Sequence, residues 1–575
     1  DEHGLGESFQ LTKGTFDDSN PVFTADGKYL VMLSARTFDP HYDGQTFDLS
    51  FGHTIRPWLA PLSASEPSPF GPVPEGWRIS EVQDAKAKAL ANAAGAGVTG
   101  EAPADVLVHY GFASRRIERI VEAVDTFAVS GDGERLIVRH KDEVSVVPSD
   151  HKVDAEDPAH VAVDLTRLRR RITPRDEWRQ MFDENGRLMA THYWRDDMNG
   201  VDWEAVLRRY RPLVDRIHSV DDLYDILWET VGELNTSHSY VSPAGLDGDP
   251  SLRAGLLGAD YGVPTDDGVP IVRVVPGESS DPLAWSPLRA AGVALRDGDV
   301  IVAVDGNKLG HDLSLGEALE GSAGHTVELT VRTGDQARRV AVVPMADEAP
   351  LRYHDWVASR RRYVEERSGG RLGYLHVPDM VSNGWAELHR QIVEATRHEG
   401  VVADVRFNHG GHTSQLVVER LSRQVLGWDF GKWYDTPATY PQNAVRGPIV
   451  MVTNQWAGSD GDIVSAVTQA MGYAPIVGER SWGGVVGIDG RFDLVDGTEV
   501  TQPRYAGWYG DYGWGVENHG VDPDITVTVR PEDWESDRDV QLDAAIDYCI
   551  AQLGERPAAI PPAMPPAAFG GPVEE

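Results

Sequence analysis

The chain reads as a multidomain α+β protein, with an all-β segment in front, then a small helical domain, a second β-rich unit and an α/β domain. Three observations point there. At 575 residues it is long enough for about three or four domains of roughly 150 residues each. Its apolar periodicity changes along its length: alternation first, helical spacing near Thr173, alternation again after residue 250, and mixed strand and helix from Leu351. Hydrophobic residues make up 41% of it, enough for packed cores, and no apolar run approaches the roughly 20 residues of a membrane span.

Charge and cysteine content narrow the classes of function. Against 53 basic residues stand 90 acidic ones, a formal net charge of −37. Such a surface repels a nucleic-acid backbone, so polynucleotide binding is disfavoured, and no membrane partner is expected. Solubility alone explains the excess charge, which is also compatible with basic substrates. The single cysteine, Cys549, excludes an intrachain disulfide framework and fits a reducing cytoplasm. It falls in the helix-like run Val540–Leu553 and reads as core filler. No H-E-x-x-H occurs, His398-Glu399 lacks a second histidine at the required spacing, and no cysteine cluster offers a zinc site. Neither a metal nor a cofactor is expected. The chain opens at Asp1 with no initiator Met and no basic-then-apolar leader, which fits a processed form or a piece of something longer.

Residues 1–168 read as β. Val22–Leu33 is a strand pair folded at Asp26-Gly27, and the pattern returns at Phe127–Val138 around Asp132-Gly133. A repeated x-D-G-x-x-L hairpin is a propeller-blade signature, but two copies do not close a ring. The expectation is an incomplete propeller-like segment or an odd β domain. Ala60–Pro74, rich in Pro and Ser, and Ala85–Pro103, rich in Ala and Gly, read as loop or linker.

Near Thr173 the period turns helical. Thr173-Pro174-Arg175-Asp176-Glu177 combines an N-cap, Pro at the first helical position and acids in the first turn. Helices are predicted at Trp178–Thr191, Trp203–Tyr210 and Val220–Leu234, giving a helical subdomain over 169–245. Residues 250–348 are β-rich, and Ser286–Gly306 runs through a short helix, an Asp-Gly turn, a strand and a second Asp-Gly turn. This stretch resembles the core of a PDZ domain, and Arg253–Tyr261 falls where that family keeps its carboxylate-binding loop. Two readings stay open: a module that takes an extended peptide by β-augmentation, and a packing module with a blocked groove.

From 349 to 554 strand and helix alternate as in α/β folds. Strands are predicted at Leu372–Val377, Val401–Phe407, Pro448–Val452, Pro475–Val477 and Arg491–Asp496. Helices are predicted at Ala386–His398, Ser414–Val425, after Ser459, and at Val540–Leu553. Asn408-His409-Gly410-Gly411 forms a corner, Gly478–Gly487 a glycine-rich loop, and Glu555–Glu575 a Pro/Ala-rich tail expected to be disordered or loosely docked.

Chemistry concentrates at one corner of this last domain. Ser459, flanked by Gly458 and Gly461, lies between a strand and the helical spacing of Ile463, Val464, Ala466, Val467 and Met471. Such a corner exposes a side-chain oxygen and offers backbone N–H groups at a helix start, where negative charge is favoured. A serine nucleophile needs that, because its tetrahedral intermediate carries an oxyanion. The same residues would also serve as a Gly-Ser-Asp helix cap. Serine hydrolysis further requires a base, a group to orient it and an oxyanion hole. No lysine follows Lys432, which excludes a Ser–Lys dyad within the last part of the fold. His238, in a Thr-Ser-His-Ser loop whose hydroxyls can fix its tautomer, is the candidate base, with His519 second. Glu517, between aromatic and Gly-rich turns, is the candidate orienting carboxylate. Gly410-Gly411 ends a strand and can point N–H groups inward, complementing the N–H of Asp460. Each residue has an ordinary structural use, and together they supply every part the reaction requires.

Residues 173–553 resemble the catalytic half of the tricorn protease family, within the wider group of tail-processing serine proteases. Six pieces in one order carry the resemblance: Thr236-Ser237-His238, the PDZ-like unit, Arg406–Gly411, Ala457–Gly461, Ser481–Gly487 and Val516–Gly520. The segment 1–168 resembles the end of the second propeller that precedes this half in the family. The resemblance implies a tetrad: Ser459 attacks the scissile carbonyl, His238 is general base and then acid, and Ser237 and Glu517 polarise and orient the imidazole. It implies an oxyanion hole from the N–H groups of Gly411 and Asp460. A carboxylate in the first specificity pocket, Asp429 or Asp435, would favour basic residues. A toroidal homo-hexamer, a cytoplasmic location and trimming of short peptides such as proteasome products are further implications, with the proteasome or downstream aminopeptidases as partners. In the Ser–Lys branch of the wider family a lysine stands between glycines in the glycine-rich loop, which here reads Gly483-Gly484-Val485. Two alternatives stand beside the peptidase: a non-enzymatic scaffold presenting PDZ-like and propeller-like surfaces, and a Ser–Lys tail-specific protease.

Overall fold

The computed structural model describes residues 11–564 apart from 13–14, 25, 44–47, 53, 64–65, 67–104, 112–115, 142, 170, 246–248, 433, 435 and 537. Asp435, the predicted loop Ala85–Pro103, most of Ala60–Pro74 and the end of the predicted tail lie outside the described residues. The chain divides into two compact units, Arg78–Glu177 and the combination of Asp1–Trp77 with Trp178–Glu575. The division falls inside the all-β segment.

Both predicted hairpins form, and for the same reason. In one unit β1 (Asp18–Phe23), β2 (Tyr29–Ser34) and β3 (Arg56–Pro61) pair antiparallel. In the other, β4 (Thr126–Val129), β5 (Arg135–His140), β6 (Glu143–Pro148) and β7 (Val161–Ala162) make a four-stranded meander, the form of a propeller blade. In the first turn Asp26 Oδ1 accepts from Thr24 Oγ1 at 2.6 Å and Lys28 N at 3.1 Å. In the second, Asp132 Oδ1 accepts from Ser130 Oγ at 2.5 Å and Glu134 N at 3.1 Å. The following glycines, Gly27 and Gly133, take φ of 70° and 77°, which a Cβ would disfavour.

The helical subdomain consists of α1 (Pro174–His192), α2 (Trp203–Val214) and α3 (Val220–Gly232), with Asp202 and Ser219 capping the last two. Their apolar stripes meet in a core of Met181, Phe182, Leu188, Val206, Leu223 and Leu227, closed by Leu494 and Val500 from far along the chain. Gly186 sets the approach of α1 to α2, since a Cβ there would stand 2.9 Å from Leu207 Cδ1.

In the PDZ-like unit β8 (Ala259–Tyr261), β9 (Val269–Val274), β10 (Val300–Val304), β11 (Val327–Thr333) and β12 (Gln336–Val342) form an antiparallel sheet in that order. The short helix predicted there is one 3-10 turn, Pro287–Arg289, broken off where Ala290 swings to ψ 147°. β8 is an edge strand, and α4 (Ala349–Ser368) approaches its open side. Gly258 N donates to the Glu348 carboxylate at 2.7 Å, Arg352 Nη2 donates to the Ala259 carbonyl at 3.0 Å, and a Cβ on Gly258 would stand 2.7 Å from Leu351 Cδ2. Two backbone groups at the start of this edge, which an added peptide strand could use, are thus engaged by the chain itself.

The central sheet contains β13 (Leu372–His376), β14 (Gly400–Asp404), β15 (Ile449–Thr453), β16 (Ile476–Gly478) and β17 (Ile525–Thr526), all parallel and standing in chain order. Right-handed crossovers that always step the same way put their helices on one face. Those helices are α5 (Ser382–Ala395), α6 (Ser414–Leu421) and α7 (Asp460–Met471). Leu375, Val401, Ala403, Ile449, Met451 and Ile476 face them. Tyr374, Val402, Val450, Val452 and Val477 point the other way, toward α4 and α8 (Val540–Glu555). With both faces covered, these strands are apolar without a break. Cys549 is buried on α8, and burial pushes its thiol up to about 12.

Several predicted elements need correction. The 20-residue α4 has no predicted counterpart, because charges at Arg360-Arg361-Arg362 and Glu365-Glu366-Arg367 obscure a buried stripe of only Leu351, His354, Val357, Val364 and Ser368. The strand predicted as far as Phe407 stops at Asp404, and Phe407 turns to φ 59°. The helix predicted to Val425 stops at Leu421, ahead of a hairpin of Gly427–Asp429 with Ala438–Tyr440. The strand predicted at Arg491–Asp496 is a single bridge from Asp493 to Glu499, where Gly497 reverses the chain at φ 86°. Among the described residues, no helix is long and apolar enough to cross a membrane, and no group of three or more His, Cys, Asp or Glu could hold a metal ion.

Candidate active site

Parallel strands in one sheet deliver their carboxyl ends to one edge, and loops there are where α/β folds place ligands. β14 ends in the corner 405–411, pinned from behind by Arg406, whose buried guanidinium meets Asp404 at 2.8 Å and Asp539 at 2.9 Å. Burial alone would raise the Asp539 carboxyl, but the Arg406 charge outweighs it and holds it below the usual range. Asn408 organises the corner. Its Nδ2 donates to the Val377 carbonyl at 2.8 Å, its Oδ1 accepts from Gly410 N at 2.9 Å, and its own carbonyl accepts from Gly458 N at 3.0 Å. Gly410 and Gly411 have φ of 76° and 148°. A Cβ on Gly411 would stand 2.1 Å from the Met380 oxygen.

β15 ends at Thr453, and Ser459 follows at the mouth of α7 with φ 57° and ψ −120°, a strained conformation for a residue with a Cβ. Its side chain makes no capping hydrogen bond to α7, so the helix-cap alternative is corrected: the hydroxyl is not used as a cap. Among the described residues that hydroxyl has no hydrogen-bond partner, and the N–H groups of Gly411 and Asp460 have no acceptor. The Asp460 carboxylate turns aside and accepts from Ser414 N at 2.8 Å and Ser414 Oγ at 2.5 Å, joining the start of α7 to that of α6. Burial raises this carboxyl, and the Ser414 bonds oppose the shift.

The histidine side is assembled from three distant segments. Ser237 Oγ stands 3.1 Å from His238 Nδ1 and donates to Glu517 Oε2 at 3.0 Å, while Ser237 N donates to Glu517 Oε1 at 2.8 Å. Val485 N and Val486 N donate to the same Oε2 at 2.7 and 3.0 Å. The loop holding His238 is anchored by Thr501, whose Oγ1 donates to the His238 carbonyl and accepts from Tyr240 N, both at 2.7 Å. Beyond it, Val241–Ser242 pairs with Glu499–Val500. His238 is buried, and that desolvation lowers its pKa, opposed by the Glu517 charge and the Val486 carbonyl.

Trp482 joins the two sides. Its ring meets the His238 ring edge-on at 5.5 Å between centroids, and a Cβ on Gly458 would stand 2.8 Å from its Cε3. The predicted residues Ser237, His238 and Glu517 are therefore in hydrogen-bond contact, and Gly410, Gly411, Ser459 and Asp460 form a second cluster across Trp482. No hydrogen bond joins His238 to Ser459. The competing base, His519, is exposed and bonded to Asp522 at 2.8 Å. Asp429 is exposed at the end of the hairpin strand Gly427–Asp429 and has no hydrogen bond or ion pair to either cluster among the described residues. Sequence reasoning missed Trp482, Thr501, Asp462 and the Val485 and Val486 N–H groups. Backbone donors carry no residue-type signal, and Thr501 acts through a contact 263 positions away.

Three stretches match family models: 174–232 the Tricorn protease C1 domain, 255–347 the Tricorn protease PDZ domain, and 371–527 Peptidase family S41. Tricorn protease homolog 1 of Streptomyces coelicolor is 49% identical, over 97% of this chain and 57% of its own length. Putative Tricorn-like protease C-terminal subunit of Sulfurisphaera tokodaii is 36% identical, over 96% of this chain and 67% of its own. Among solved structures, the crystal structure of the tricorn protease matches with a TM-score of 0.73 at 30% identity, over 94% of this chain and 55% of that one. The chain thus spans 57% of the length of the first relative and 67% of the second.

Proposed function

The chain belongs to the tricorn protease family, and from that premise we propose that it is a serine peptidase working through Ser459, His238, Ser237 and Glu517. Ser459 Oγ attacks the scissile carbonyl as His238 accepts its proton. His238 then returns the proton to the leaving amine, and water repeats the cycle to release the acyl group. Ser237 relays the Glu517 charge to Nδ1, which fixes the tautomer that leaves Nε2 free as base. The unused N–H groups of Gly411 and Asp460 receive the oxyanion. The observation that carries this reading is the Ser237 hydroxyl, which bridges His238 Nδ1 and a carboxylate 280 positions away. A packing role would not need three polar groups in series. The missing His238–Ser459 hydrogen bond is in keeping with catalytic bonds that tighten only when substrate is bound.

The proposal extends to short peptides as substrates, with a basic residue before the scissile bond set by Asp429 or Asp435, and to a cytoplasmic homo-hexamer. The acidic charge of −37 and the exposed Asp429 carboxylate support a basic preference. Hydrolysis of fluorogenic peptides ending in Arg, Leu or Glu before the reporter, by wild type and Ser459→Ala, is the test. Equal rates in the two proteins would overturn the peptidase reading, and a solution mass would report the assembly. The Ser–Lys alternative has no support here, because Lys432 is the last lysine of the chain.

A further inference from the structure

α7 carries a second buried acid that the tetrad does not use. Asp462 is wholly buried. Its Oδ1 accepts from Gly483 N at 2.8 Å and its Oδ2 from Gly484 N at 3.2 Å. The Ser481 side chain and the Ser459 backbone also favour its charged form. The next two N–H groups of the same loop, those of Val485 and Val486, go to Glu517. Four successive backbone donors are thus divided in pairs between two carboxylates, one on the nucleophile's helix and one behind the histidine.

This arrangement is costly to maintain. No ion pair compensates Asp462 among the described residues, and burial pushes its carboxyl up to about 6 against the pull of its hydrogen bonds. A carboxylate without a counter-ion is expensive to bury, and an apolar side chain would fill the same space more cheaply. What Asp462 does that an apolar residue cannot is hold two adjacent N–H groups at once. Both glycines are needed for the fit: a Cβ on Gly483 would stand 2.5 Å from Gly520 N, and one on Gly484 would stand 2.1 Å from Trp482 Cζ3.

We propose that Asp462 is a positioning residue that clamps the glycine-rich loop to α7 and thereby sets the separation between the Ser459 hydroxyl and the His238 imidazole. Trp482, in that loop, lies against both Gly458 and the His238 ring, so a shift of the loop moves one side of the site relative to the other. Asp460 ties the same helix start to the opposite wall through Ser414. Neighbouring acids of one helical turn therefore brace the two halves of the site. This role rests on the peptidase reading but concerns a residue outside the tetrad.

The experiment compares Asp462→Asn and Asp462→Ala with wild type and Ser459→Ala, each as the full chain, with thermal unfolding as a check on folding. A misplacement on the order of 1 Å costs about 10²-fold in rate, so Asp462→Ala is expected to lose about that factor in kcat with KM unchanged. Asp462→Asn, which keeps one acceptor, should fall between Ala and wild type, and it carries the test if Ala does not fold. Amide hydrogen exchange at Gly483 to Val486 should accelerate in both variants. Wild-type kcat in Asp462→Asn, or unchanged exchange across those four amides, overturns the proposal. If wild type hydrolyses no peptide while Asp462→Asn still accelerates exchange, the peptidase reading alone falls and the clamp stands.

Discussion

A Cβ built on Gly410 would stand 2.5 Å from Ser459 Cβ and 3.1 Å from its Oγ. The loop after β14 and the corner after β15 are therefore in close contact at Ser459, whose hydroxyl makes no hydrogen bond among the described residues. Gly410 also has φ 76°, so any substitution is strained twice, by the backbone and by the contact. Gly410→Ala is expected to displace the proposed oxyanion donors, the N–H groups of Gly411 and Asp460, and lower kcat by about 10²–10³-fold, the effect of losing one such donor. Labelling of Ser459 by a fluorophosphonate should slow in parallel, while thermal unfolding shows the fold retained.

The two histidine candidates separate cleanly. His238 is buried against Ser237 and Trp482, whereas His519 is exposed and bonded to Asp522. His238→Ala should reduce kcat/KM by about 10²–10⁴-fold, the range for a general base. His519→Ala should leave it unchanged, and the reverse result would move the base to His519.

Glu517 has a different signature in a pH profile. Burial lowers the His238 pKa below 6.5, and the Glu517 charge partly restores it. As a base, His238 works when neutral, so activity is lost as pH falls through that lowered pKa. Replacing the carboxylate in Glu517→Gln removes the restoring charge, so the acid limb of kcat/KM should move to lower pH while the plateau drops. A limb that stays in place would separate Glu517 from the histidine.

Stability in acid should depend on Asp539. Its folded pKa is depressed, so its contribution is fully present above the unfolded value of 3.8 and is lost as pH falls through the lower folded one. Removing the shared cation in Arg406→Met leaves Asp404 with the Tyr374 hydroxyl but no ion pair, and Asp539 with only Arg360, at 3.2 Å, as a cation, expected to cost about 3–5 kcal/mol. Urea unfolding at pH 7 measures the loss, and a change under about 1 kcal/mol would contradict the buried-pair account.

The engaged backbone groups at the edge of the PDZ-like unit make a prediction of their own. With Glu348 on Gly258 N and Arg352 on the Ala259 carbonyl, a peptide bearing a free carboxyl terminus should not bind there. In chain blocked covalently at Ser459, titration with such a labelled peptide should show no saturable binding, and Glu348→Ala should increase whatever weak binding exists. Saturable binding to the unaltered chain would show that α4 leaves the strand.

Legibility in the sequence followed the range of the forces involved. The Asp-Gly hairpins, the capped helices at Asp202 and Ser219 and the strand-to-helix corner at Ser459 rest on local backbone preference, and each is written within a few neighbouring residues. The whole of α4 was missed because its buried stripe is thin and its charges dense. The strand predicted at Arg491–Asp496 failed because Gly497 and Asp496 favour a reversal over an extension, with Asp496 Oδ1 accepting from Thr498 N at 2.9 Å.

By itself the sequence determined the multidomain α+β class, the alternation of strand and helix after Leu351 and the residue types available for chemistry, because periodicity, turn residues and motif order are properties of adjacent positions. Tertiary structure alone decided which of those residues meet. It set Ser237 between His238 and Glu517, sent His519 to the surface, and brought Arg352 of α4 to the Ala259 carbonyl of β8. It also divided the N–H groups of Gly483 to Val486 between Asp462 and Glu517. Contacts of that kind link groups tens to hundreds of positions apart through backbone donors common to every residue, so no local pattern marks them.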